Sequence, residues 1–150
     1  MAKYFVYFSF TGNGDYIASL LKEKGYEPVK IDLEKSPKKI GFWQILKYGG
    51  HAGFNTKEKL KEVEFKLNQD DVVIIGSPIW NDRLSTPITT FMSQVEFNKE
   101  TTKFILYPAG EKTKKSLKQI KKLGFTSEPI VISYPLKKTE ECKKLIEGAF

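Results

Sequence analysis

The chain is short of the residues that carry most side-chain catalysis and metal binding. Among its 150 residues there is one cysteine, Cys142, and one histidine, His51. A single thiol excludes an internal disulfide and fits a reducing, cytoplasmic compartment. A single imidazole excludes most histidine-rich metal sites. Cys142 and His51 are far apart in sequence and neither sits in a motif, so nucleophilic catalysis by that pair ranks low. No apolar run reaches membrane-spanning length, so no membrane association is expected. The N-terminus enters a strand directly, without a signal-peptide apolar region. With no internal repeat, low-complexity tail or linker, one domain over residues 1–150 is expected. Arginine is nearly absent, Arg83 being the sole example, although Lys plus Arg outnumber Asp plus Glu by 25 to 18, a net charge of +7. The excess lies toward the C-terminal end, where residues 99–150 hold 12 Lys against 6 Glu. Such a balance admits an acidic partner or nucleic acid. Arginine usually leads where phosphates or base edges are read, so nucleic acid ranks last.

What the chain does have is a polar, glycine-bearing stretch, Ser9-Phe10-Thr11-Gly12-Asn13-Gly14-Asp15. It follows Tyr4–Phe8, an aromatic and β-branched run that reads as a buried strand. It precedes Tyr16–Lys22, which has apolar residues at helical spacing. A strand-to-helix junction exposes main-chain N–H groups and the positive end of the helix dipole, and both suit a phosphate. Ser9 and Thr11 add hydroxyl donors, and Asn13 adds an amide. Gly12 and Gly14 allow close approach of the backbone. The same composition also makes an ordinary N-cap turn. The loop is neither the dinucleotide fingerprint nor the Walker loop, which needs Gly-Lys followed by Ser or Thr.

Further along, Val29–Leu33 alternates as an edge strand. Pro37 opens a helix carrying Ile40, Phe42, Trp43, Ile45 and Leu46, which Gly49-Gly50 ends. His51–Gln69 fits neither period and reads as a surface connection with apolar anchors at Leu60, Val63, Phe65 and Leu67; Trp43 and Phe54 are read as packing that helix down. Asp71–Gly76 is the strongest strand, a continuous apolar run of the kind a central parallel strand requires. It gives way to a loop over 77–83 and a helix from Thr86 through Val95. Phe104–Tyr107, a helix over 112–123 with Leu117, Ile120 and Leu123 inward, Pro129–Ser133 and a helix over 139–147 complete the chain. Strand and helix alternate five times. The expected fold is therefore α/β: a three-layer, doubly wound, five-stranded parallel sheet in the order 2-1-3-4-5, with right-handed crossovers. Ligands of such sheets bind past the carboxyl ends of the strands, at the switch in strand order. In this order the loops 9–15, 77–83 and 107–111 converge. The first offers a phosphate cradle and the second the flat face of Trp80 beside Pro78. The third offers Tyr107 and a small Pro108-Ala109-Gly110 turn. Together they fit a mononucleotide with a planar ring.

Two segments, Tyr7–Asn13 followed by Ile17-Ala18, and Ile75-Gly76-Ser77-Pro78-Ile79-Trp80, resemble the paired signatures of flavodoxin-like proteins, and length and element order resemble the short-chain members throughout. The resemblance implies FMN as cofactor. Ser9, Phe10, Thr11, Gly12, Asn13 and Gly14 would form the phosphate loop. Ser77, Pro78, Ile79, Trp80, Asn81 and Asp82 would contact the isoalloxazine, with Trp80 stacked on it. Tyr107, Pro108, Ala109 and Gly110 would face its pyrimidine edge, and Asn81-Asp82 would be the adjustable peptide near N5. The chain departs from the family pattern at Gly14, where Thr or Ser is usual, in the third loop, and in being basic. The implied function is an electron carrier between redox partners, with a partner acidic at its docking surface. The alternatives are an FMN-dependent NAD(P)H:quinone-type oxidoreductase and a flavin-free module of the same fold.

Overall fold

The computed structural model describes residues 1–33, 60–61, 63, 65–110 and 112–150. The helix expected from Pro37, with Trp43, His51 and Phe54, lies outside them. The described elements run β1 (Lys3–Tyr7), α1 (Asn13–Glu23), β2 (Glu27–Lys30), β3 (Val72–Trp80), β4 (Arg83–Leu84), α2 (Thr86–Gln94), β5 (Lys103–Pro108), α3 (Lys114–Lys122), β6 (Ile130–Val131) and α4 (Thr139–Ala149). The parallel strands lie in the order β2-β1-β3-β5-β6, the predicted arrangement. The sheet has six strands rather than five, because β4 pairs antiparallel with the end of β3.

Period-two alternation divides the core between two faces. Val6, Val73, Ile75, Phe104 and Leu106 point to the side covered by Ile88 and Phe91 of α2 and Ile120 of α3. Phe5, Tyr7, Ile74, Ile105 and Tyr107 point to the side covered by Ile17, Ala18 and Leu21 of α1 and Cys142 and Ile146 of α4. From β1 the chain steps outward to β2 with α1 on one face, and from β3 it steps outward the other way with α2 and α3 on the opposite face. Right-handed crossovers in both directions require that exchange of faces. The switch in order falls between β1 and β3.

Several boundaries shift from those expected. The segment 77–80 is strand, not loop: β3 continues to Trp80 and turns back through Asn81-Asp82 into β4. Both turn residues have positive φ, 51° and 57°, as a two-residue type I′ hairpin demands, and Asn and Asp tolerate that region best after glycine. Pro78 survives inside a central strand because of its direction. The Gly76 carbonyl accepts from Phe8 N, so alternate residues face β1, and Pro78 faces that side just past the last β1 pair, Tyr7 with Gly76. Its carbonyl takes a hydrogen bond from Ser77 Oγ at 2.7 Å instead. β2 starts earlier than expected, at Glu27, and the last strand shrinks to Ile130–Val131. At the C-cap of α3, Leu123 is 44% exposed rather than inward. Of the apolar anchors before β3, Leu60, Val63, Phe65 and Leu67 all pack on the α2/α3-side core, and the Phe65 ring meets Tyr4 edge-on at 5.1 Å. Among the described residues no helix is long and apolar enough to cross a membrane. Cys142 is fully buried, and burial pushes its thiol up to about 11, which keeps it protonated.

Asp71 fixes where the sheet begins. Its carboxylate accepts Ala2 N and Asn68 N, each at 2.8 Å, and these two bonds hold it below the usual carboxylate range. A depressed folded pKa contributes stability above the unfolded value that is lost as pH falls through the folded one. Asp71→Asn should therefore be less stable than the wild type near neutral pH. Urea midpoints followed down to about pH 3 should show the gap closing; a gap independent of pH would discount the carboxylate.

Candidate functional site

The carboxyl edge of the sheet is built on the β1–α1 turn. Gly12 is the N-cap of α1, with φ 91° and no side-chain cap of its own. Ser9 does that work from three residues upstream: its Oγ accepts Gly14 N at 3.1 Å and Asp15 N at 3.3 Å. The Ser9 hydroxyl hydrogen is thereby left over as a donor. Asn13 donates from Nδ2 to Thr11 Oγ1 at 3.1 Å, and its Oδ1 accepts Leu136 N at 3.3 Å. The Thr11 hydroxyl hydrogen is likewise left over as a donor. Among the described residues the main-chain N–H groups of Thr11, Gly12 and Asn13 have no acceptor. Three unused N–H groups and two hydroxyls at the positive end of an 11-residue helix form the donor set a phosphate needs. Asp15, in the first turn, would oppose such an anion, but Lys30 Nζ lies 2.9 Å from its Oδ1 and Tyr7 Oη donates to it at 3.0 Å.

Beneath the loop lie two tyrosines. The Tyr107 hydroxyl donates to the Phe8 carbonyl and is wholly buried. Burial, and for Tyr7 the hydrogen bond to Asp15, raises both phenols well above their ordinary range, so both stay protonated donors. A Cβ on Gly14 would stand 2.7 Å from Tyr107 Oη and 3.0 Å from both Ser9 Cβ and Tyr7 Cδ2. The departures at Gly14 and in the third loop meet here: the Tyr107 hydroxyl fills the space a threonine at position 14 would need.

The predicted residues of the other two loops also reach this edge, in different roles. Ser77 is fully buried and bound to Ser85 N and Ser85 Oγ, each at 3.0 Å, so its side chain braces the β3–β4 hairpin. Pro78 and Ile79 pair with Tyr107 and Pro108. Trp80 is partly buried and meets Phe8 at 5.5 Å and Phe10 at 5.7 Å, both edge-to-face, which joins the hairpin to the first loop. Asn81 is the exposed tip. Asp82 turns back, its Oδ2 accepting Lys115 N at 3.2 Å at the start of α3, where the helix dipole favours a carboxylate. The Tyr107 and Pro108 side chains are buried, whereas Ala109 and Gly110 are at the surface; Glu111 lies outside the described residues.

A fourth loop, after β6, was not read from the sequence. Ser133 Oγ donates to Gly110 O at 2.9 Å, Tyr134 Oη to Ala109 O at 2.7 Å, and Leu136 N reaches Asn13. Leu136 Cδ1 is 3.4 Å from where a Gly12 Cβ would stand. The signal available was Ser133-Tyr134-Pro135 at a strand end; Tyr134 adopting φ 53° could not be foreseen.

No protein-family model matches the chain, and no curated protein matches its sequence. Solved structures do resemble it. A candidate flavoprotein from Bacteroides uniformis ATCC 8492 superposes with a TM-score of 0.72 at 17% identity, over 97% of each chain. A flavoprotein from Lactobacillus acidophilus NCFM, crystallised with FMN, gives 0.65 at 19% identity over 88% of this chain and 90% of that one. A candidate flavoprotein from Bacteroides eggerthii DSM 20697 gives 0.65 at 16% identity over 98% and 96%. With the strand order and the division of helices between two faces, these likenesses show that the chain has a flavodoxin-like fold.

Proposed function

We propose that the protein binds FMN at the carboxyl edge of the sheet and carries electrons between redox partners. The observation that carries this reading is the unused donor set of the β1–α1 turn, set at the switch between β1 and β3. The main-chain N–H groups of Thr11, Gly12 and Asn13, with the hydroxyls of Ser9 and Thr11, would hold the phosphate. The β3–β4 hairpin from Trp80 to Asp82 and the turn at Ala109-Gly110 would flank the ring. When bound, FMN supplies reversible one- and two-electron chemistry. The protein's part is to fix and shield the cofactor. The Lys30–Asp15 pair cancels a charge beside the cradle, and the Phe8, Phe10 and Trp80 rings would form an apolar wall beside it.

The test is a titration of the protein with FMN and with riboflavin, followed by the visible spectrum. FMN should bind at one site per chain. Riboflavin, lacking the phosphate, should bind at least about tenfold more weakly, since hydrogen bonds to a charged group are worth about 1.5–3 kcal/mol each. Equal affinity for the two would refute the cradle, and no binding of either would favour a flavin-free module. Steady oxidation of NAD(P)H by the flavin-loaded protein alone would replace the carrier with the reductase.

A further inference from the structure

We infer that the groove between α2 and α3 is a docking site for a carboxylate-rich protein segment. The groove encloses about 750 Å³ and is lined by Arg83, Lys99, Lys115, Lys118 and Lys122. Among the described residues no carboxylate lines it. Asp82, beside its upper end, turns its Oδ2 to Lys115 N. The α3 wall is a helical stripe, Lys115, Lys118 and Lys122 at spacings of three and four, so these cations share one face. The floor is apolar, formed by Met92, Leu123 and Phe125.

Three features select the occupant. Among the described residues none of the five cations has a carboxylate partner, Lys99 resting instead over the Phe125 ring at 4.1 Å, and such a cluster favours a polyanion. Four of the five are lysines, mobile point charges on long stems, which steer and hold a distributed acidic surface rather than grip one phosphate in a fixed fork. The apolar floor, where Leu123 stands 44% exposed, gives an aliphatic side chain of the partner a place to bury. The upper end adjoins the hairpin, since Arg83 pairs with Trp80 and Asp82 caps α3. A partner seated there would lie beside the proposed cofactor edge. That last link rests on the electron-carrier reading; the charge and shape of the groove do not.

The probe is a fluorescein-labelled peptide rich in Glu and Asp with a central Leu, measured by anisotropy against the protein with and without added FMN. Lys118→Glu with Lys122→Glu should weaken binding by about tenfold or more, the scale of several reversed charge pairs at low salt. Lys143→Glu with Lys144→Glu, the same change in net charge on α4 across the sheet, should weaken it less than about twofold. Amide shifts of the wild type on adding peptide should cluster at Thr89, Ser93, Gln119 and Leu123, a readout that needs no variant to fold. Equal loss in both double variants, shifts outside the groove, or tighter binding of a single-stranded oligonucleotide at the same residues would overturn the proposal. Because the flavin-free protein is measured as well, failure of FMN binding leaves this result readable by itself.

Discussion

Gly14→Thr should cost the protein about 1–3 kcal/mol of stability and weaken FMN binding with it. The sign is opposite to that of intrinsic propensity, since replacing glycine inside a helix ordinarily gains up to about 1 kcal/mol. Here the added Cβ would come within 2.7 Å of Tyr107 Oη and 3.0 Å of two further carbons. The hydroxyl cannot swing away without abandoning the Phe8 carbonyl, and Tyr107 is buried on all sides. Tyr107→Phe alone should cost about 1 kcal/mol for the lost hydrogen bond. Combined, the two substitutions should cost less than their sum by about 1 kcal/mol or more, because the second removes the obstacle to the first. Urea unfolding of the four proteins measures this directly. Strict additivity would mean that the tyrosine and the glycine do not share the space assigned to them.

A larger loss is expected from Gly76→Ala, about 3 kcal/mol, or a fall in Tm of roughly 6–12 °C for a chain of this size. Gly76 lies in the middle of β3, paired with Tyr7 on one side and Ile105 on the other. A Cβ there would meet Phe5 Cζ at 2.5 Å and Cε2 at 2.7 Å. The Phe5 ring has nowhere to go: it is fully buried and lies stacked on Tyr7 at 4.9 Å with 7° between the planes. Phe5→Leu in the same background should recover part of the loss. Gly148→Ala, where a Cβ meets nothing within 4 Å in the last turn of α4, should instead be neutral or stabilising by up to about 1 kcal/mol. A scan in which both glycine changes cost the same would argue against steric occlusion as the cause at Gly76.

The strand order was legible from residues 71–76 and 104–107, because continuous apolar runs between helical patterns leave little choice but a covered parallel sheet. The turn at 9–15 was legible too, since its chemistry is local: hydroxyls, an amide and glycines ahead of a helix. What the sequence concealed was long-range. That Gly14 and Tyr107 answer one another is a contact across 93 positions. The strand character of 77–80 was hidden by Pro78, whose tolerance depends on where β1 stops. The hairpin at 81–82 was half visible, in that residues 77–83 were read as a loop, but its antiparallel return to Leu84 was not. Leu123 was assigned inward by period alone, and only the groove beside it explains why an apolar side chain stands open there.

The hydrogen bond from Leu136 to Asn13 spans 123 positions. Residues near the start of the chain therefore acquire their final brace from residues made long afterwards. During synthesis the strand and helix on either side of that turn can form early, while the turn itself stays unbraced until the segment after β6 has left the ribosome. If FMN binds there as proposed, its capture would wait for that segment rather than guide assembly, and a nascent chain would carry no flavin until the turn was braced.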